Sequence, residues 1–292
     1  MEMNKFNVSV ILPISSSSVR DFDSLFERCI KSIKNQVVEV NELIIVHSQD
    51  ETLKTKINSF DYENLNVVKI ENTGDIDFSS QVNLGVKNAT SKWVSVLEFD
   101  DEYSSIWFKN VKRFEESYSD VDVFLPLVVD TDDKGVFAGF TNEATFAVSI
   151  NSEMGYLTND LLLTYQNFQT SGINSEMGYL TNDLLLTYQN FQTSGMVIKK
   201  SVYENNGGFK PSIKLTFVYE FLLRLTYNSV KIMTIPRIGY KHTNMREGSI
   251  FWNYKFSDEK ISDDEVTFWL ETAKKEYFFT SDRNIKFEPQ VS

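Results

Sequence analysis

Between residues 6 and 97 the chain alternates short apolar runs with amphipathic stretches, and this alternation constrains the fold more than any other feature of the sequence. Residues 6–14, FNVSVILPI, read as a buried strand ended by Pro13. Residues 42–46, 65–70 and 93–97 read the same way. Strands that are apolar on both faces belong to sheets covered on both sides. Between them lie helical patterns. In residues 21–36, Phe22, Leu25, Phe26, Cys29, Ile30 and Ile33 recur at helical spacing, with Asp21 or Asp23 placed to cap. Residues 53–60 and 78–89 predict two further helices. Strand and helix in strict alternation predict an α/β fold, a parallel sheet with helices on its faces.

The fourth apolar run ends abruptly. Trp93 to Tyr103 reads WVSVLEFDDEY, so Val96-Leu97 passes directly into Glu98, Asp100, Asp101 and Glu102. In open α/β sheets, ligands bind at the carboxyl ends of strands. Residues two apart on a strand face the same side, so Glu98 and Asp100 can address one target. Oxygen ligands in that arrangement suit a hard divalent ion such as Mg²⁺ or Mn²⁺. The alternative is a solvated acidic turn.

The net charge of -12, from 41 acids and 29 bases, argues against nucleic acid or an anionic membrane surface as partner, since both need a basic face. A single cysteine, Cys29, excludes an intrachain disulfide framework and a cysteine-based zinc site. No signal peptide and no apolar run of transmembrane length is evident, so the sequence predicts a soluble, cytoplasmic protein.

Beyond the acidic turn, residues 106–118 read as a helix and 121–129 as a strand. The turn 130–135 leads into a further run at 136–140. Residues 150–172, INSEMGYLTNDLLLTYQNFQTSG, then recur letter for letter as residues 173–195. Two undrifted copies do not make a solenoid. A period of 23 residues also loses phase on a helix of 3.6 residues per turn, so the copies cannot share one apolar face. One copy is expected to fill a place in the fold and the other to form an added excursion. The pattern fits a recent or engineered duplication, or an error of assembly. Residues 215–226 predict an apolar helix carrying Glu220 and Arg224 four apart, and 231–235 a strand ending at Pro236. Residues 263–279 predict an amphipathic helix with Val266, Trp269, Leu270, Ala273 and Tyr277 on one side.

Over residues 6–245 the chain resembles the family 2 glycosyltransferases with a GT-A fold. VSVILPI resembles the family's first strand, NELIIVHSQD its second, and VLEFDDEY its metal-binding motif. SGMVIKKSVYENNGGFK followed by YEFLLRL resembles the stretch that shapes the acceptor site. The departures are Glu98 in place of the first metal-binding Asp, His47 and Ser48 in place of acids after the second strand, and Val218-Tyr219-Glu220 in place of an acidic pair.

The resemblance implies a Rossmann-like, mixed and mostly parallel sheet over residues 1–245, with residues 246–292 a helical extension on the same domain. It implies inverting transfer of a sugar from a nucleoside diphosphate sugar to a hydroxyl of a glycan or other acceptor. Mn²⁺ or Mg²⁺ would be held by Glu98, Asp100 and His242. Glu220, with a raised pKa on its apolar helix, would be the catalytic base, and Asp101 the second candidate. The alternative for Glu220 is an ion pair with Arg224. Pro13, Ile14, His47 and Asp50 would line the nucleoside site, and Lys241 or Arg246 would meet the diphosphate. Tyr240, Phe251, Trp252 and Tyr254 would stack on sugars or close as a lid, or else pack against the last helix. Two other readings compete. One is a non-catalytic glycan- or nucleotide-binding module on this fold. The other is a nucleotidyltransferase, which the Ser15–Ser18 loop disfavours because that class uses a Gly-rich basic loop there.

Overall fold

The structure, a computed structural model, describes residues 5–132, 134–146, 178–187, 191–244, 246–249, 252–253, 256 and 263–276. The predicted alternation is present. Strand β1 (Lys5–Ile14) leads to helix α1 (Phe22–Lys34), β2 (Glu39–His47) to α2 (Glu51–Ser59), and β3 (Val67–Glu71) to α3 (Phe78–Asn88). Next come β4 (Trp93–Val96), β5 (Glu102–Tyr103), α4 (Trp107–Ser117), β6 (Val123–Thr131) and β7 (Phe137–Thr141). A 3₁₀ turn, Glu143–Phe146, follows. The later elements are β8 (Tyr179–Leu180), α5 (Asn182–Thr187), β9 (Val197–Lys199), α6 (Lys200–Asn205), α7 (Phe217–Tyr227), β10 (Ile232–Thr243) and α8 (Asp263–Glu276).

The strands form one mixed sheet in the order β3-β2-β1-β4-β9-β6-β10-β5, with β7 beside β6 and β8 beside β10. The longest ladders, β1 with β2 and β6 with β10, are parallel, and β9 enters antiparallel between β4 and β6. Apolar residues cover both faces. Val8, Val10, Leu12 and Ile14 of β1 join Phe22, Phe26, Trp107 and Phe108 on one side. Ile11 joins Val82, Val86, Phe221 and Leu222 on the other. Helix α3 rests directly on β1, since a Cβ at Gly85 would lie 2.4 Å from Ile11 Cγ2. At the opposite end from the acidic turn, the buried carboxylate of Glu42 accepts from Ser9 Oγ and from Thr90 N and Oγ1 at 2.7 and 2.8 Å, tying β1, β2 and the approach to β4.

Several boundaries differ from expectation. Asp21 occupies the N-cap position of α1 in a left-handed conformation and makes no side-chain cap bond. Asp50 and Asp77 are instead the capping residues, of α2 and α3. The last core strand does not stop at Pro236. It runs to Thr243 and passes Pro236 at a register shift, where a missing N–H costs no ladder bond. Lys241 and His242 are therefore strand residues, not loop residues beyond it. Tyr240 is a core residue and not part of an exposed aromatic surface: it is fully buried, and its hydroxyl accepts from Glu98 N at 3.1 Å. Trp252 meets Phe256 at 5.7 Å, whereas Phe251, Tyr254 and Tyr277 lie outside the described residues.

The second copy of the repeat supplies β8, α5 and the approach to β9, burying Leu180, Leu185 and Phe191 in the core. Gly195 at its end has φ +73°, and its carbonyl accepts from Trp107 Nε1 at 3.0 Å. The first copy, residues 150–172, lies outside the described residues. Helix α8 contacts α7. No helix among the described residues is long and apolar enough to cross a membrane.

Candidate functional site

The sheet order reverses direction between β1 and β4, and a cavity of about 750 Å³ opens at the carboxyl ends of these strands. That is where an open α/β sheet binds its ligand, and the volume suits a small molecule. Pro13, Ser15 and Ser16 line it from the end of β1, and Val96, Glu98, Phe99 and Asp100 from the end of β4. Asp77, Phe78 and Gln81 contribute from α3, Phe217 and Tyr219 from α7, and His242 and Thr243 from β10. Thr193 and Ser194 of the second repeat copy and Val266 and Leu270 of α8 complete this part of the wall.

Glu98, Asp100 and Asp101 converge, with one carboxylate oxygen of each within 4.8 Å of the others. Three carboxylates so close in a buried site cannot all ionise without a counter-charge. Burial, with the charge of Asp100 added, pushes Glu98 up to about 7 against the opposing pull of His242 and Arg246. Burial first, then the neighbouring carboxylates, pushes Asp101 well above the carboxylate range. Two cations answer this cluster. Arg246 Nε lies 2.6 Å from Asp100 Oδ2. Burial pulls the His242 imidazolium down, but the hydrogen bond to Asp130 and the charges of Asp101, Glu98 and Asp130 outweigh it and lift it to about 9. The inner acid is incompletely satisfied: Asp101 Oδ1 accepts from Thr243 N at 2.8 Å, while its buried Oδ2 has no hydrogen-bond partner among the described residues. That orphaned oxygen, beside two further carboxylates, fits a hard divalent cation; His242 lines the same cavity but stands outside this close group of three.

The remaining expected residues are distributed unevenly. Pro13 and Arg246 reach the cavity wall. Ile14 is buried in the core. His47 is buried with Nδ1 2.8 Å from Ser48 O, and Asp50 is committed to Thr52 N and Leu53 N. Lys241 turns to Glu102 at 3.1 Å and lines a smaller hollow instead.

The expected catalytic base is corrected by the structure. Glu220 is 1% exposed, does not line the cavity, and is held by Arg224 at 2.9 Å and Lys210 at 2.9 Å. Burial lifts its carboxyl, but the hydrogen bonds and charges of Arg224 and Lys210 outweigh burial and hold it below the usual range, the reverse of the expected shift. Arg224 also donates to Asn206 O and Gly208 O, so the pair fastens the Gly207-Gly208 turn to α7. Asp101 does not reach the wall either; the wall carboxylates are Asp77, Glu98 and Asp100. Sequence reasoning missed Asp77, whose position just before an apolar-periodic run is a helix-start signal. It also missed Asp130, the partner of His242 112 residues away, which no local signal betrays.

Solved structures with this fold include Staphylococcus aureus TarS. TarS 1–349 in complex with UDP-GlcNAc aligns with TM-score 0.60 and 17% identity over 93% of this chain. TarS 1–349 in complex with UDP aligns with TM-score 0.55 and 14% identity, and a further TarS structure with 0.51 and 16%. The chain spans 66%, 80% and 44% of those three chains. No curated protein matches the chain significantly. The family model for glycosyl transferase family 2 matches residues 9–171, more than half of the sequence, and the chain belongs to that family.

Proposed function

We propose that the protein transfers a sugar from a nucleoside diphosphate sugar to an acceptor hydroxyl by a cation-assisted direct displacement that inverts the anomeric carbon. The observation that carries this reading is the acidic cluster of Glu98, Asp100 and Asp101, two of whose carboxylates face the cavity at the point where the strand order reverses. Family membership and the fold shared with TarS, whose structures hold UDP-GlcNAc and UDP, support a nucleotide-sugar donor and make a uridine nucleotide the first to test.

Each group at the site then has a task. Glu98, Asp100 and Asp101, with His242, would hold Mn²⁺ or Mg²⁺, which when bound offsets the charge that builds on a leaving diphosphate. Arg246 is the wall cation beside the cluster and the partner for diphosphate oxygens. Pro13, Ser15 and Ser16, at the end of β1, border the nucleoside. Phe78, Phe217 and Tyr219 add apolar wall that would exclude water, and Thr193 and Ser194 would offer hydroxyls to an acceptor. Because Val266 and Leu270 line the same cavity, helix α8 is best taken as part of this domain.

The test is calorimetric titration with a panel of nucleoside diphosphates, with and without Mn²⁺. One nucleotide, UDP foremost, is expected to bind tightly only with metal. Absence of binding to a folded protein rejects the proposal. Asp100→Ala is expected to abolish metal-dependent nucleotide binding while leaving the circular dichroism melt in place; retained binding would move the cation site elsewhere.

A further inference from the structure

His242 reaches the cavity from β10, and what sets its ring lies behind it. On the neighbouring parallel strand β6, Asp130 stands in register with His242. This register depends on the two irregularities of β10. Between Thr234 and Tyr240 they insert three extra residues relative to β6, and without them His242 would stand beyond the end of β6. An odd number of inserted residues also exchanges the faces of the strand. Asp130 Oδ1 lies 2.8 Å from His242 Nδ1. Its other oxygen accepts from the Thr141 hydroxyl at 2.6 Å, and Thr141, on β7, is 2% exposed. The His242 carbonyl accepts from Thr131 Oγ1 at 3.4 Å. Asp130 is buried and does not line the cavity, so its influence on the site passes through the imidazole.

We propose that Asp130, braced by Thr141, is a positioning residue that accepts the hydrogen bond of the His242 Nδ1–H and thereby presents Nε2 towards the Glu98, Asp100 and Asp101 cluster. A carboxylate behind a histidine fixes both ring orientation and tautomer, and raises the basicity of the outer nitrogen. Here the carboxylate is itself fixed at both oxygens, so the ring has one orientation that keeps its hydrogen bond. The value of this arrangement to a cation rests on the reading of the site given above; the orientation of the ring does not.

Two measurements test the inference separately from that reading. The first is a double-mutant cycle read as Mn²⁺ affinity by electron paramagnetic resonance, with thermal melts to certify folding. Asp130→Ala should weaken Mn²⁺ binding about 10- to 100-fold. His242→Ala should weaken it at least as much, and the double variant no further, because Asp130 acts only through the ring. Thr141→Val should have a smaller effect in the same direction. Asp130→Asn, which keeps a carbonyl acceptor without the charge, should fall between wild type and Asp130→Ala; it also serves if the alanine variant does not fold. Wild-type affinity in both Asp130→Ala and Asp130→Asn, or additive losses in the double variant, overturns the proposal.

The second measurement is ¹⁵N-histidine NMR of the metal-free protein, which has two histidines, His47 and His242. A downfield, slowly exchanging Nδ1–H of His242 should be present in wild type and Asp130→Asn and lost in Asp130→Ala, with His47 unchanged. If wild type binds no Mn²⁺, the cation reading fails and this signal alone decides the positioning role. Its absence from wild type overturns that role.

Discussion

At Glu220 two cations, Arg224 and Lys210, neutralise a carboxylate that the fold has taken almost wholly out of water. Removing one partner of a buried pair leaves the other charge uncompensated, so Glu220→Ala should destabilise by about 3–5 kcal/mol, measured by urea unfolding. Metal-dependent nucleotide binding by the folded fraction should survive. Because the folded carboxyl lies below its ordinary value, its contribution is present above pH 4.5 and is lost as pH falls through the folded pKa. His242 has the opposite sign. Its folded pKa of about 9 lies above 6.5, so its contribution is complete below pH 6.5 and disappears as pH rises through 9. Chelated wild type should lose on the order of 3 kcal/mol across that window. The loss should be missing from His242→Gln; parallel stability curves for the two proteins would show that the imidazolium is not held by the cluster. The Glu220–Arg224 pair was legible from its spacing of four. The role of Glu220 was not, because the sequence does not show that Lys210 folds back onto the same carboxylate.

Among the elements, strands and helices of the first hundred residues followed their apolar periodicity closely, except that β3, expected to be buried, lies at the sheet edge with no buried residue. Errors came where two signals conflicted. Pro236 reads as a strand end, yet β10 continues through it because the ladder is already irregular there. The repeat was legible as sequence but silent on placement. Gly178 N is bonded to Thr145 O at 3.2 Å, so the second copy begins its work beside the end of the 3₁₀ turn. Deleting either copy yields the same polypeptide and shortens the connection from Phe146 to that glycine by 23 residues. The second copy already supplies β8, α5 and the approach to β9, so the single-copy protein should be at least as stable in a thermal melt. Nucleotide affinity should be unchanged. Loss of binding in the shortened protein would show that the site needs both copies.

For the whole molecule, a net charge of -12 opposes a nucleoside diphosphate unless positive charge is added at the site. Binding should therefore appear as a linked stabilisation that needs both components. UDP at about a hundredfold excess over its Kd with Mn²⁺ should add about 2.7 kcal/mol. EDTA should abolish the gain, and UDP or Mn²⁺ alone should give far less. Equal stabilisation by UDP in EDTA would remove the cation from donor binding.

The sequence by itself determined the class of the fold and the location of its acidic centre. Buried parallel strands need continuous apolar runs, and Trp93–Val96 delivers Glu98 and Asp100 to the carboxyl end of the sheet whatever surrounds it. Only the tertiary structure decided which charges face the cavity and which are consumed in holding the fold. Glu220 and Arg246 are both charged residues with a carboxylate or guanidinium partner. One is buried on α7 and paired with Arg224 of the same helix, and the other lies on the wall against Asp100. The pairing of His242 with Asp130 likewise depends on the register between strands far apart in the chain, which bulges set and local sequence does not.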